Sequence, residues 1–423
     1  MKDTINRIEQ KDKISLDVSK DYSFGKIFIF AYFCIAPFIY FFRALFISTY
    51  ILAILDVCLI TSFFLLYAET VEKGHKIKSS ILLVFFSSFF WALIITSILT
   101  SKFTSENFNL QLAFRYARIY GLNILFIYIA KYFNRADVNK LIKIIVVTGL
   151  IVSIYGVIQY FYGFFLFEKF YIATEEITAW RRSPELFNRF FSTMGSPNVF
   201  VTYSLILLWS SIYFAGQLKN KKKVILINII MISLVLFNLY IGRMRLAFIT
   251  LILTITIYFF LKRKKRYIFL ILAIFLITLF ALKDSLGGIT NYFDPEDLAG
   301  SFNKRYFLLK NFVLPNVRLE LPSGLGITFL YNKRIVLDNS YLNILILFGW
   351  IGLLVFGIFL ISVIFRCIKL YTKNIQKNKK LILTTFMILL SILIMANGSS
   401  VLFNSVISAY LWFFVGIVLY WKK

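Results

Sequence analysis

Apolar positions along this chain neither alternate nor recur every three to four residues. They run on in blocks of about 20, long enough to cross a hydrocarbon layer as helix. The blocks fall near residues 26–42, 45–67, 81–99, 112–131, 142–165, 198–217, 224–241, 246–261, 267–282, 340–365, 381–396 and 403–420. A helix that is apolar on every side has lipid or other helices around it, so the pattern predicts an all-α integral membrane protein with about 12 transmembrane helices. The polar tail 1–25 precedes a membrane domain spanning 26–423, and nothing in the tail reads as a cleavable signal peptide. The first turn, around Arg43, is the shortest separation between blocks.

Composition agrees: 60% of the 423 residues are hydrophobic and only 16% are charged, which excludes an ordinary soluble domain. A net charge of +27 would suggest nucleic acid in a soluble chain. Here the lysines and arginines sit between spans. Placing the N-terminus in the cytoplasm makes the loops 70–80, 131–141, 218–223, 262–266 and 366–380 and the C-terminus cytoplasmic, and each of them is basic. Charge and hydropathy thus give the same topology, with long loops near 166–197 and 283–339 facing outward. The three cysteines, Cys34, Cys58 and Cys367, lie in or beside apolar runs and match no disulfide or metal spacing. His75 falls in a basic loop and reads as solvated.

The outward segments carry the candidate chemistry. Between Asn188 and Phe200, Arg189 runs into a helix start in which Ser196 takes the N-cap position and Pro197 the first helical one. Unpaired N–H groups, the positive dipole end and a nearby guanidinium suit a phosphate. The turn Gly242-Arg243-Met244-Arg245 sets two more arginines at the membrane boundary, and Arg305 falls in the second outer loop. Four cations on one face suit a pyrophosphate, although arginines at a boundary also snorkel to lipid headgroups. Asp294-Pro295-Glu296-Asp297 reads as a helix start rather than a metal site. Glu175, Glu176, Arg181 and Arg182 read as a solvated face. Arg115 and Arg118 share a helix face and either extend the anion site or pair with Asp56.

Taken together, Arg189, Gly195, Pro197 and Asn198, the Gly242 to Arg245 turn, Gly324 and Gly326 at the end of a long loop, and Asp338-Asn339-Ser340-Tyr341-Leu342 with Gly349 and Gly352 resemble the O-antigen polymerase and O-antigen ligase superfamily. The motifs cover roughly 185–355. In the ligase branch a histidine typically stands at the position of Asp338, so aspartate favours the polymerase branch. Met244 departs from a serine common in the family, and Arg245 matches the family arginine better than Arg243.

The resemblance implies a GT-C-like glycosyltransferase on the outer face of the bacterial cytoplasmic membrane. Such an enzyme transfers a growing O-antigen or capsule glycan from undecaprenyl-pyrophosphate to the next lipid-linked repeat unit. No cofactor and no metal are implied, and a polysaccharide chain-length regulator is the implied protein partner. Arg189 and Arg245 would hold the leaving pyrophosphate, backed by Arg243 and Arg305. Asn198, Asn339 and Tyr341 would contact pyrophosphate or sugar. Asp338 is either the base that accepts a proton from the acceptor hydroxyl or the N-cap of the following helix. A flippase for lipid-linked oligosaccharide is the alternative from another class. It shares the spans and cations, but the chain shows no paired repeat with interrupted helices.

Overall fold

In a computed structural model the protein is described at residues 23–46, 50–72, 81–104, 110, 113, 117–118, 121–162, 190, 192–263, 303, 306–316, 324–326, 329, 337–373 and 376–420. These residues contain no strand. The helices are α1 (Phe24–Ile35), α2 (Ile39–Phe46), α3 (Tyr50–Glu72), α4 (Ile81–Thr104), α5 (Leu125–Ala130), α6 (Arg135–Tyr162), α7 (Pro197–Ala215), α8 (Lys221–Gly242), α9 (Arg245–Leu261), α10 (Ser340–Lys373), α11 (Gln376–Met395) and α12 (Ser405–Tyr420). Seven spans among them are long and apolar enough to cross a membrane, as a multi-pass membrane protein requires. The expected span at 267–282 and the tail before residue 23 lie outside the described residues.

Several boundaries differ from expectation for local reasons. The first span is interrupted by a 3-10 turn, Ala36–Phe38, because Pro37 lacks an N–H and its ring crowds the preceding turn. Helix α6 begins at Arg135, several residues before the expected 142. A reciprocal capping box starts it, in which the Asn134 and Asp137 side chains each accept the other's backbone N–H, at 2.9 and 3.1 Å respectively. Lys26 then closes on Asp137 at 2.7 Å and ties α1 to that start. Helix α10 reaches Lys373, well beyond 365.

Helices α7 and α12 form the centre, with nearly every residue buried, while α3 and α8 turn rows of large apolar side chains outward, such as Ile54, Val57 and Phe64 of α3 and Ile225, Ile229 and Leu236 of α8, as lipid-facing helices do. Close packing at the centre uses small residues and internal hydrogen bonds. Tyr203 of α7 meets Thr148 of α6 at 2.8 Å, and Asn238 of α8 donates to Ser153 and Ser204 at 2.7 and 3.1 Å.

Helices α7 and α8 form a hairpin, which fixes two ends of the bundle. At the lower end Lys380 reaches the Gly216 carbonyl, Asn220 caps α8, and Arg366 donates to the last carbonyls of α12, those of Val418 and Leu419. Lys219 to Lys223 and Lys262 fall at this end as well. At the upper end α8 finishes and α7, α9, α10 and α12 begin.

Candidate functional site

Phe190 and residues 192–196 lie as a strap across the upper end. The Phe190 N–H donates to the Ile241 carbonyl at 3.0 Å, which fixes the strap to the last turn of α8. Ser192, in the left-handed region at φ 52°, is clamped by Gln159, whose side-chain oxygen accepts the Ser192 N–H at 2.8 Å. The Ser192 hydroxyl donates to Val152 O, and Thr193 donates to Pro37 O at the break in the first span. Pro197 then opens α7 at its first position, as expected. Ser196 occupies the N-cap in extended conformation, but its side chain makes no capping bond. The first-turn N–H groups of α7, those of Asn198 and Val199, are therefore left without a capping side chain. The Asn198 side chain is half-exposed at this start.

The arginine turn sits beside it. Gly242 packs directly on Val201 of α7, so the end of α8 lies against the first turns of α7. Arg243 takes the left-handed C-terminal position at φ 47° and ψ 50°, where glycine is usual. Met244 is extended and only 8% exposed, anchoring the turn between two half-exposed arginines, and α9 begins at Arg245 without a side-chain cap. Two helix starts without capping side chains and two guanidinium groups thus share a few residues of the upper surface.

Sequence reasoning missed the piece that joins this turn to Asp338. It is the tight turn Ala396–Ser400 between α11 and α12, whose Asn397-Gly398 pair between two apolar runs is the signal that identifies it. A Cβ on Gly398 would lie 2.5 Å from Leu246, the residue after Arg245. On the other side, Asn339 Nδ2 donates to Asn397 O at 2.8 Å, Ser340 N to Ala396 O at 2.9 Å and Ser340 Oγ to Ser399 O at 2.8 Å. Asp338 and Arg245 are therefore each one residue away from a residue seated on the same turn.

Asn339 is the cap: its Oδ1 accepts from Tyr341 N and Leu342 N at 2.9 and 3.0 Å. Asp338 is exposed immediately before it. Because Nδ2 is engaged as well, the Asn339 amide spends its polar atoms on the protein's own backbone. Tyr341 is also occupied, donating to Leu393 O at 2.9 Å.

Nine residues below Ser340, α10 breaks. Gly349 adopts φ 68°, ψ −175°, a region open essentially to glycine alone, and the break detaches the carbonyls of Ile346 and Leu347 from their helical donors. Both are satisfied from elsewhere: Leu325 N–H reaches Ile346 O at 2.8 Å, and Ser97 Oγ of α4 reaches Leu347 O at 2.9 Å. Gly324 and Gly326, at φ 82° and 98°, bring the loop in; a Cβ on Gly324 would lie 2.5 Å from Gly349 N. Broken helices persist in membrane proteins only where the freed backbone finds such partners. Around the insertion Val313, Leu337 and Ile346 form a second small core, separate from the main one.

Of the arginines expected to converge, Arg243 and Arg245 share the upper end with Asn198 and Asp338. Arg189 and Arg305 lie outside the described residues, as do His75, Arg115, Glu175, Glu176, Arg181, Arg182 and the 294–297 segment. Arg118 pairs with Asp56 at 3.0 Å, the structural alternative of the two considered for it. Compared with known proteins, the chain matches no family model and no curated protein.

Proposed function

We propose that this chain is a surface-polysaccharide polymerase of the O-antigen or capsule type. In this reading it works on the outer face of a bacterial cytoplasmic membrane and moves a growing glycan from undecaprenyl-pyrophosphate onto the next lipid-linked unit. The observation that carries the reading is the meeting, at one end of an apolar bundle, of two helix starts lacking side-chain caps, the Arg243 and Arg245 turn, and the exposed carboxylate of Asp338.

Each feature answers a demand of the reaction. The leaving group is a pyrophosphate, and fixed guanidinium groups with helix-start N–H donors stabilise its developing charge without reorganising. Arg245, and Arg189 by sequence, take that role, with Arg243 and Arg305 as further holders of the phosphates. The acceptor hydroxyl needs a base to become a nucleophile. Asp338, exposed beside the Asn339 cap, takes the base role. Asn198, on the first turn of α7, is taken as a neutral donor to the phosphates. Asn339 and Tyr341 act here through structure rather than through substrate contact.

The test is turnover by purified protein of the lipid-linked oligosaccharides of its native host, followed on a gel. A ladder of repeat lengths with no other protein present is the expected result. Movement of the lipid across vesicles with no ladder would make the chain a flippase, and the arginines its headgroup grip.

A further inference from the structure

Five aromatic rings meet beside the arginine turn: Tyr160 and Phe161 from the last turn of α6, Phe190 from the strap, and Phe237 and Tyr240 from the last two turns of α8. Tyr160 is the hub, with ring centroids 5.2 to 6.2 Å from Phe161, Phe190, Phe237 and Tyr240, all edge to face. Phe161 lies parallel to Phe237 at 6.4 Å. Phe190, Phe237 and Tyr240 are backed by the main core, whereas Tyr160 is 37% and Phe161 68% exposed. The patch is thus a packed aromatic surface with an open face. It ends at Arg243, three residues beyond Tyr240, and includes the residue that follows Arg189 in the chain.

We infer that this patch is a saccharide subsite, holding the sugar ring next to the pyrophosphate of the lipid-linked substrate. The inference rests on the polymerase reading. Sugar rings present apolar faces of C–H groups that pack on aromatic rings, and the ring bonded to a pyrophosphate must lie within one ring's width of the cation that holds the phosphate. A half-exposed guanidinium at the edge of a packed aromatic face matches a ligand that is anionic at one end and saccharide at the other. A belt of interfacial anchors would spread single rings around the bundle, each with a polar tip; here five rings contact one another on one side, and three are phenylalanine. Tyr341, expected from sequence to contact pyrophosphate or sugar, donates its hydroxyl to Leu393 O of α11.

The experiment is native mass spectrometry of the full-length protein released from nanodiscs. It competes bare undecaprenyl pyrophosphate against the pyrophosphate-linked saccharide lipids extracted from the native host. Wild-type protein should prefer the saccharide-bearing lipid by about tenfold, the effect of one good ring contact. Tyr160→Leu with Phe237→Leu keeps the surface apolar and removes the π faces, and should bring the preference close to one while bare pyrophosphate lipid still binds. If those variants retain the preference, or wild type shows none, the rings are membrane anchors and the subsite is overturned while the polymerase reading stands. Wild type binding neither lipid would overturn both.

Discussion

At the scale of single residues, Arg243 is the position where function and stability pull apart most clearly. An L-residue in the left-handed conformation costs about 1 kcal/mol that glycine does not pay. Arg243→Gly should therefore raise thermal stability slightly, by up to about 1 kcal/mol, while weakening pyrophosphate-lipid binding and polymer yield. Thermal unfolding in detergent alongside the polymer gel checks both; full yield from the glycine variant would mean that the strained arginine holds no phosphate. Asp338 and Asn339 separate in a complementary way. Asp338→Asn should abolish polymer and leave α10 capped, since the cap is the Asn339 side chain. Asn339→Ala should cost about 1 kcal/mol of stability through the lost cap. Normal polymer from Asp338→Asn would retire the base assignment whatever Asn339→Ala does.

At the scale of elements, the broken helix α10 is the joint on which the Asp338 arm depends. Its upper half, Ser340 to Phe348, is held by the Ala396–Ser400 turn above and the inserted Gly324–Gly326 loop beside it. An alanine at Gly324 would drive its Cβ into backbone at Gly349, and an alanine at Gly349 would occupy a nearly glycine-only region. Each should destabilise by about 1–3 kcal/mol. Ser97→Ala, which strands the buried Leu347 carbonyl, should cost about 1–3 kcal/mol. Unfolding midpoints of the three purified variants test this; an unshifted Ser97→Ala would mean that water or a neighbouring donor already serves that carbonyl. The sequence predicts the outer half of this arrangement: Pro197 as a helix start, Gly242 as a helix end, and a helix opening near Ser340 all follow from local rules. The inner half is silent in it. Ser97 meets Leu347 across 250 positions, Thr193 meets Pro37 across 156, and Leu325 fills the place of a helical donor. No periodicity marks such pairs, because a hydroxyl or N–H that completes a distant break looks locally like any other.

At the scale of the whole molecule, the polymerase reading requires the arginine turn to face away from the cytoplasm. The charge distribution argues that it does. Lys219 to Lys223, Lys262, Lys373, Lys379 and Lys380 lie at the lower end, opposite the Gly242 to Arg245 turn, and the positive-inside bias holds such clusters in the cytoplasm. The bias counts lysines and arginines near span ends, so two arginines on the opposite side do not reverse it and need another reason to be there; a bound pyrophosphate is one. Cysteine labelling in intact cells tests the orientation directly once Cys34, Cys58 and Cys367 have been replaced. Ser400→Cys, exposed beside the upper turn, should react with a membrane-impermeant maleimide, and Lys222→Cys, exposed at the lower end, only after permeabilisation. The reverse pattern would put both arginines and Asp338 in the cytoplasm. Lipid-linked repeats are then met before export rather than after it, and the chemistry at this end would have to be sought among reactions that build or load the carrier lipid instead of those that polymerise its cargo.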